Sequence, residues 1–414
     1  MHQNKPKSNT GHARHQNRHE RVVRPSRFGH QRKFSPHIKR SPKRSGMGQY
    51  IDPRKFINKA VITEEIEHFV PDHSFQDFAV DQSLKNIIQK RGFTTPTPIQ
   101  DKSIPHILRG ADVVGIANTG TGKTAAFLIP LINKVISNKK EQVLIIAPTR
   151  ELAIQIDQEL KQFTQGLKIF SVCCVGGASI GKQMSELRYQ NSFIIGTPGR
   201  IKDLINRNMI RPNEFKSIVL DEADRMLDMG FIEDMRFIMQ KMPKERHTLF
   251  FSATLSPEIE RLIGEFLKEP VRISVKTRDT SQDVHQDIVK IEKGDKLQIL
   301  VNLLHQPGFD KVLIFGRTKH GVERLTRMLV EKGIKAESIH GDKRHSKRQE
   351  ALKFFKENRI QALVATDVAA RGLDIAGISH VINYDIPATY EDYVHRIGRT
   401  GRAGKKGMAL TFID

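Results

Sequence analysis

The residues best suited to chemistry begin with a glycine-containing loop that precedes an apolar helical segment. The loop is Ala117-Asn118-Thr119-Gly120-Thr121-Gly122-Lys123-Thr124, and residues 125–131 form the apolar segment. Glycines let backbone N–H groups converge on one point, the helix N-terminus adds its dipole, and Lys123 adds charge at the β- and γ-phosphates of a nucleotide. Thr124 offers Mg²⁺ a hydroxyl ligand. The alternative is a plain glycine turn that opens a helix, because Ala117 stands where the usual pattern has its first glycine.

A second candidate group is acidic. Asp221-Glu222-Ala223-Asp224 directly follows the predicted strand 217–220. Because the carboxyl ends of parallel strands meet at one sheet edge, these carboxylates would lie beside the phosphate loop. Asp221 can hold hydrated Mg²⁺, and Glu222 can orient and deprotonate the water that attacks a γ-phosphate. An ordinary acidic helix cap is the alternative, and the neighbouring loop disfavours it.

The elements that must position these groups are short β-branched runs alternating with amphipathic stretches from about residue 75 onward. Such alternation predicts a parallel α/β sheet. The polar segment 276–283 interrupts the alternation, which then restarts, so we expect two domains with a ligand cleft between them. The predicted strands are 113–117, 143–147, 193–196, 218–221, 248–251, 312–315, 336–339, 362–365, 381–383 and 408–413.

The charge of the 414-residue chain is large and uneven. The net charge is +22, and residues 1–50 hold 13 Lys and Arg against one acid, which places +12 in an eighth of the chain. With few apolar residues, this segment is predicted to be a disordered tail, either a non-specific nucleic-acid arm or a solubilising segment. Length alone also predicts two domains.

Cysteine content and hydropathy exclude several classes of protein. The only cysteines are the adjacent Cys173 and Cys174 in a strand-like run, so neither a disulfide framework nor a metal-ligand spacing is available, and the thiols are expected to pack as small apolar groups. No membrane span or signal peptide is evident. We therefore expect a soluble, cytoplasmic protein with no membrane partner.

Further motifs follow one another in a specific order along the chain. They are Phe75 with Gly92-Phe93 and Pro96-Thr97-Pro98-Ile99-Gln100, Pro148-Thr149-Arg150-Glu151-Leu152-Ala153, Gly176-Gly177, Thr197-Pro198-Gly199-Arg200, Ser252-Ala253-Thr254, Ala365-Thr366-Asp367, Ala370-Arg371-Gly372-Leu373-Asp374 and His395-Arg396-Ile397-Gly398-Arg399-Thr400-Gly401-Arg402. With the loop and the acidic segment, they resemble the DEAD-box ATP-dependent RNA helicases of helicase superfamily 2. The resemblance implies two tandem RecA-like domains with an ATP and RNA cleft between them.

The resemblance also implies boundaries and nucleotide contacts. We expect a tail over 1–50, a connecting segment over 51–71, an ATP-binding domain over 72–275, a linker over 276–285 and a C-terminal helicase domain over 286–414. Phe75 would stack on the adenine ring, and Gln100, whose carboxamide both donates and accepts, would bind its edge. Asp374 would contact the ribose, and Arg399 and Arg402 would reach the γ-phosphate.

The RNA contacts implied by the resemblance go to the backbone and carry no sequence information. They involve Pro148, Thr149, Arg150, Gly176, Gly177, Thr197, Pro198, Gly199, Arg200 and Thr366. Ser252, Thr254, His395 and Asp224 would couple the γ-phosphate to RNA binding. Helix capping is the alternative for the Ser and Thr residues, and a simple helix-entry turn for residues 197–200.

One departure from the family pattern is His345, where a Gln is common, although Arg348 three residues later is retained. We expect no accessory domain after the last predicted strand. RNP, ribosome-assembly or RNA-decay proteins are the expected partners. A DNA translocase of the same superfamily and a non-catalytic RNA clamp or chaperone are the rival functions.

Overall fold

The computed structural model describes residues 56–57, 69–118, 120–275, 284–291, 295–370, 375–401 and 406–413. All of them belong to one unit, residues 48–414. The tail predicted over 1–50 and most of the segment 51–71 therefore lie outside the described residues, as do Thr119, Asp374, Arg402 and most of the predicted linker.

The first sheet is parallel and runs in the order β3-β4-β2-β5-β6-β1-β7. Its strands are β1 Val113–Ile116, β2 Val143–Ile146, β3 Ser171–Cys174, β4 Phe193–Gly196, β5 Ser217–Leu220, β6 His247–Ser252 and β7 Val271–Ser274. The helices around it are α1 Gln82–Lys90, α2 Pro98–Leu108, α3 Lys123–Ser137, α4 Arg150–Phe163, α5 Ile180–Glu186, α6 Pro198–Asn206, α7 Ala223–Asp228, α8 Ile232–Gln240 and α9 Pro257–Phe266.

The second sheet is also parallel, in the order β10-β11-β9-β12-β13-β8. Its strands are β8 Val284–Lys290, β9 Val312–Phe315, β10 Ala336–Ile339, β11 Ala362–Ala365, β12 His380–Asn383 and β13 Gly407–Ile413. Its helices are α10 Lys296–Leu304, α11 Lys319–Glu331, α12 His345–Lys356, α13 Asp367–Ala370 and α14 Tyr390–Ile397. The predicted fold of two α/β parallel-sheet domains is confirmed.

Both faces of the first sheet are covered, which explains its continuously apolar strands. In β2, Val143 and Ile145 pack into one core, while Leu144 and Ile146 pack into a second core on the opposite face. Side chains alternate between the two faces of a strand, so a run of four apolar residues supplies both cores at once.

The edge strands β7 and β8 were not predicted from the sequence. β7 and β8 close one edge of each sheet, and both carry exposed polar residues among their buried ones. An edge strand is half-solvated, so its apolar signal is weak. Because β8 begins at Val284, the last two residues of the linker predicted over 276–285 belong to this strand.

The two cysteines lie at the end of β3, as the strand-like run predicted. Burial raises the pKa of both thiols well above the usual value. They therefore remain protonated near neutral pH and pack as apolar groups. Among the described residues, no helix is both long and apolar enough to cross a bilayer.

Candidate functional site

The phosphate loop joins β1 to α3, as the sequence predicts. Gly122 precedes α3 with φ +92°, a conformation that favours glycine, and a Cβ there would also contact the Gln100 carboxamide, which two hydrogen bonds hold in place. Lys123 is buried, and its Nζ donates to Ala117 O at 2.8 Å. Ala117 N donates to Ser252 O at 3.0 Å, so the residue that departs from the usual pattern continues the β1 and β6 pairing.

Gln100 ties the start of α2 to this loop. Its Oε1 accepts from Thr97 N at 2.9 Å, and its Nε2 donates to Gly122 O at 3.0 Å. A carboxamide has two N–H groups and two oxygen lone pairs, so one of each remains for a ligand. Gln100 also lines the cavity above the loop. The adenine contact stays a prediction, and the link to the phosphate loop is an addition to it.

The stacking role predicted for Phe75 is wrong. Phe75 is only 2 % exposed, and its ring meets Phe78 and Phe93 edge-on at 5.9 and 5.7 Å between centroids. A ring enclosed in the core offers no free face to a base. Phe93, half-buried and lining the cavity, presents the aromatic surface instead, and Arg91 lies beside it with its guanidinium 5.1 Å from the ring centroid. Phe75 packs against Phe93 on the core side of that ring.

The acidic groups converge on the same cavity, which measures about 520 Å³. Asp221 and Glu222 line it together with Lys123 and Thr124. The pKa of the Asp221 carboxyl is raised overall. Burial is the largest cause, the Glu222 charge adds to it, and the Lys123 charge opposes it. The Thr121 hydroxyl donates to Asn118 O at 2.8 Å, within the loop itself.

Glu222 is held in a strained backbone conformation, with φ +51° at the N-terminus of α7. Such a conformation costs about 1–3 kcal/mol for a residue other than glycine and is frequent at functional sites. Its Oε2 lies 3.3 Å from Arg225 Nη1 within the protein interior. No hydrogen-bond partner for this Oε2 is found in the described part of the chain. This oxygen is therefore held against the Arg225 charge in the interior, while the Glu222 residue lines the cavity.

The donor set fits a magnesium ion that shares its ligands with a nucleotide. Asp221 supplies a buried carboxylate and Thr124 a hydroxyl at the same cavity. No cluster of three or more His, Cys, Asp or Glu side chains that could hold a metal occurs among the described residues. Mg²⁺ commonly binds one or two protein oxygens and completes its shell with phosphate oxygens and water.

The second sheet contributes Arg399 to the cavity. Arg399 follows α14, is buried, and lines the same space as Lys123, Asp221 and Glu222. The sequence separation between Arg399 and the phosphate loop exceeds half of the chain, yet the fold brings them together. Lys356, the last residue of α12, also lines the cavity, although nothing in the sequence distinguishes it from a solvated lysine.

Arg396 has a structural role between the last two motifs. Its guanidinium binds the Asp367 carboxylate through two bonds of 2.5 and 2.8 Å, and Nη1 donates to Asn383 Oδ1 and to Asp385 O. These bonds fix α14 against the C-terminal ends of the strands. His395 and Arg399 line a small cavity beside them. The coupling role of His395 stays a prediction.

A hydrogen-bond cluster joins the acidic segment to the residues after β6. Asp224 Oδ2 accepts from Ala253 N at 3.1 Å, from Thr254 N at 3.1 Å and from Thr254 Oγ1 at 3.2 Å. Ser252 Oγ instead donates to Thr254 O at 2.8 Å. The predicted hydroxyl contact with the acidic segment is therefore made by Thr254 and not by Ser252. Ser256, not these residues, caps the helix that follows.

The residues predicted to bind RNA in the first domain lie at the carboxyl ends of neighbouring strands. Residues 148–150, 176–177 and 197–200 follow β2, β3 and β4, which are neighbours in the sheet. The Arg150 guanidinium packs on Gly177, where a Cβ would meet Nη1. Arg200 Nη1 donates to Gln183 Oε1 at 2.8 Å. Thr149 caps α4 by accepting from Leu152 N at 3.2 Å, and Thr366 follows β11 in the second sheet.

Two family models match the chain. The DEAD/DEAH box helicase model matches residues 97–262, and the helicase conserved C-terminal domain model matches residues 295–404. A solved structure of the DEAD-box helicase Mss116 bound to ssRNA and UDP-BeF is 30 % identical, with a TM-score of 0.75, over 83 % of this chain and 76 % of that one. This chain belongs to the DEAD-box family of ATP-dependent RNA helicases.

Two further relatives of this DEAD-box helicase match more than four fifths of its chain. The ATP-dependent RNA helicase CshA of Listeria monocytogenes serovar 1/2a is 47 % identical over 342 residues. The match spans 82 % of this chain and 66 % of the length of CshA. S. cerevisiae Dbp5 bound to RNA and ADP BeF3 is 29 % identical, with a TM-score of 0.74, over 82 % of this chain and 89 % of that one.

The DEAD-box helicase also contains a contact between its domains that sequence reasoning did not find. Glu151, at the start of α4, lies against Arg348 of α12, with 2.8 Å between Oε2 and Nη2. His345 lies near both, because Glu151, Arg150 and Arg348 all influence its pKa. Glu151 and Arg348 are almost 200 positions apart, so their spacing in the sequence could not pair them. The only sequence signal was that His345, which lies near both, departs from the family pattern.

Proposed function

We propose that this DEAD-box helicase hydrolyses ATP to ADP and phosphate in an RNA-stimulated reaction and couples the reaction to local unwinding of RNA duplexes or to RNP remodelling. The observation that carries the proposal is the shared cavity of about 520 Å³. Arg399 of the second domain lines it together with Lys123, Asp221 and Glu222 of the first domain. ATP bound there would contact both domains, so hydrolysis would depend on domain closure.

The chemistry assigns a separate task to each group. Lys123 and the N–H groups of residues 120–124 bind the β- and γ-phosphates. Glu222 accepts a proton from water as its oxygen attacks the γ-phosphorus, and the bond to the β–γ bridging oxygen breaks. Arg399, with Arg402 proposed as its neighbour, stabilises charge on the transferred group, a contribution on the order of 10³–10⁵ in rate. Asp221 and Thr124 would hold Mg²⁺, which neutralises charge on the phosphates.

RNA binding and nucleotide binding would be linked through the domain boundary. We propose that residues 148–150, 176–177, 197–200 and Thr366 bind one RNA strand by its backbone, with the Asp224 and Thr254 cluster between this track and the ATP cavity. ATP and RNA would then both favour the closed arrangement, and each would tighten binding of the other. Hydrolysis would reopen the cleft and release the RNA.

The assignment of domains and of location forms part of the same proposal. Residues 72–275 would be the ATP-binding domain, and the second sheet with its helices the C-terminal domain. Residues 1–50, with a net charge of +12, would be an arm that raises the local RNA concentration. We propose a cytoplasmic location and partners among RNP, ribosome-assembly or RNA-decay proteins, to be tested by crosslinking in cells, sequencing of bound RNA and identification of co-purified proteins.

The decisive experiment compares ATP turnover without polymer, with single-stranded RNA and with single-stranded DNA. Stimulation by RNA alone is expected. Stimulation by DNA to the same degree would favour a DNA translocase, and RNA binding without turnover would favour a non-catalytic clamp. Glu222→Gln should abolish turnover while ATP binding persists, because the amide keeps the shape and loses the base. Full turnover in this variant would refute the role of Glu222.

A further inference from the structure

A second candidate binding surface lies on the first domain, at the sheet edge opposite the ATP and RNA site. Phe170 and Tyr189 are 62 % and 74 % exposed, and no other described Phe or Tyr side chain is as exposed. Both line one surface cavity of about 810 Å³. Isolated exposed apolar residues are ordinary, but two rings that converge on one cavity are not.

The topology separates this surface from the site already described. Phe170 directly precedes β3, and Asn191 and Ser192, which line the same cavity, directly precede β4. They therefore lie at the amino ends of parallel strands, whereas the motif residues follow the carboxyl ends. A four-residue strand spans about 13 Å, which sets the separation between the two edges.

The backbone that carries each ring is held in place. Phe170 O accepts from Ser192 N at 3.0 Å and from Phe193 N at 3.2 Å. Asn191 Nδ2 donates to Tyr189 O at 2.8 Å and to Glu186 O at 3.0 Å, which fixes the turn after α5. Rings on an ordered backbone bind a ligand with less loss of entropy than rings on a mobile loop.

The charge around the rings is positive. Lys139 and Lys168 line the cavity of both rings, and Tyr189 also borders a second cavity of about 310 Å³ that contains Arg188. The two carboxylates of these cavities already have cationic partners. Glu186 lies 3.8 Å from Lys182 Nζ, and Glu214 lies 3.3 Å from Arg211 Nη1.

We infer that this surface, the Phe170 and Tyr189 platform, binds a single-stranded segment of RNA outside the cleft. Exposed rings stack on unpaired bases, and lysine and arginine around them attract the phosphates, which is the combination that single-strand binding requires. An apolar protein ligand would not need the surrounding cations. The inference rests on the proposed function only for the choice of RNA as the polymer.

The test is binding of a fluorescent oligouridine of about 20 nucleotides, longer than the roughly 4–16 nucleotides of one single-strand site. The full chain is used without nucleotide. The double variant Phe170→Leu/Tyr189→Leu keeps apolar volume but removes both rings, and the dissociation constant should rise about tenfold or more. The control Phe170→Tyr/Tyr189→Phe keeps both rings and should remain within about twofold. ATP turnover at saturating RNA should be the same in all three proteins.

Crosslinking provides a second readout. RNA that contains 4-thiouridine should crosslink to the peptides that carry Phe170 and Tyr189, in the wild-type protein. Unchanged RNA affinity in the leucine variant, together with no crosslink at these peptides, would overturn the inference and leave the surface to a protein partner. RNA-stimulated ATP turnover of the wild type is scored separately, so failure of the proposed function and failure of the platform give different results.

Discussion

The Glu151 carboxylate lies 2.8 Å from the Arg348 guanidinium, although Glu151 belongs to the first domain and Arg348 to the second. Their side chains are only 2 % and 7 % exposed. Burial lowers the pKa of Arg348, and Glu151 raises it. Glu151 directly follows Arg150 of the predicted RNA track, so this ion pair connects the RNA edge of one domain to the other domain.

Removal of Arg348 should weaken RNA binding by the closed protein. Arg348→Ala leaves Glu151 buried without its partner, and an uncompensated buried charge costs about 3–5 kcal/mol. We expect the RNA concentration for half-maximal ATP turnover to rise about tenfold or more. The control Arg272→Ala breaks an exposed pair with Glu260 and should change little. In a double-mutant cycle with Glu151→Gln, strictly additive effects would show that the pair is not coupled.

His345 should make RNA binding weaker in mild acid. Burial lowers the pKa of His345 below its usual value of 6.5, Arg150 and Arg348 lower it further, and Glu151 raises it. A histidine with a lowered pKa is neutral in the contact, so its stabilising contribution is fully present above its usual pKa and is lost progressively as the pH falls below that value.

The measurement is the half-maximal RNA concentration for ATP turnover between about pH 7.5 and 5. It should rise on acidification in the wild type and rise less in His345→Gln, which carries the residue common in the family and does not titrate. Identical pH profiles in the two proteins would exclude His345 as the titrating group.

Gly122 should be essential for nucleotide binding, and Gly110 provides a matched control. Both have positive φ, +92° and +80°, but a Cβ at Gly122 meets Gln100 whereas nothing lies within 4 Å of a Cβ at Gly110. Each substitution by Ala should lower the free energy of unfolding by about 1 kcal/mol or more through backbone strain. Only Gly122→Ala should also weaken ATP binding about tenfold or more, measured with a fluorescent nucleotide. Equal ATP affinity in the two variants would contradict this.

Thr254 should couple ATP turnover to strand separation. Thr254→Val removes the hydroxyl that donates to Asp224 but keeps the side-chain shape. The lost bond to a carboxylate is worth about 1.5–3 kcal/mol. We expect duplex unwinding to fall about tenfold, while ATP turnover falls by less than about threefold. A parallel decline of both activities would assign Thr254 to the chemical step instead.

Residues 1–50 should affect RNA affinity but not the maximal rate. Deletion removes a net charge of +12. The half-maximal RNA concentration should rise and its dependence on salt should flatten, because fewer counterions are released on binding. Saturated ATP turnover should remain nearly unchanged. An unchanged salt slope would identify these residues as a solubilising segment.

The spacing of residues close together in the chain was sufficient to predict much of the fold and of the candidate site. The phosphate loop, the acidic segment after β5 and the buried strands could be predicted because each depends on residues close together in the chain. A glycine that precedes a helix, or four apolar residues in a strand covered on both faces, leaves a strong local pattern. Edge strands β7 and β8 left a weak one, since half of their side chains meet solvent.

Only the tertiary structure decided which side chains are buried and which side chains from distant segments come together. It placed Phe75 in the core and gave the cavity to Phe93, a choice that two phenylalanines 18 positions apart cannot reveal by themselves. It brought Arg399 to the phosphate loop and Arg348 to Glu151. It also exposed Phe170 and Tyr189 on one surface. Packing between distant segments is fixed by the whole core, whereas motif spacing reports only the chemistry that each segment can perform.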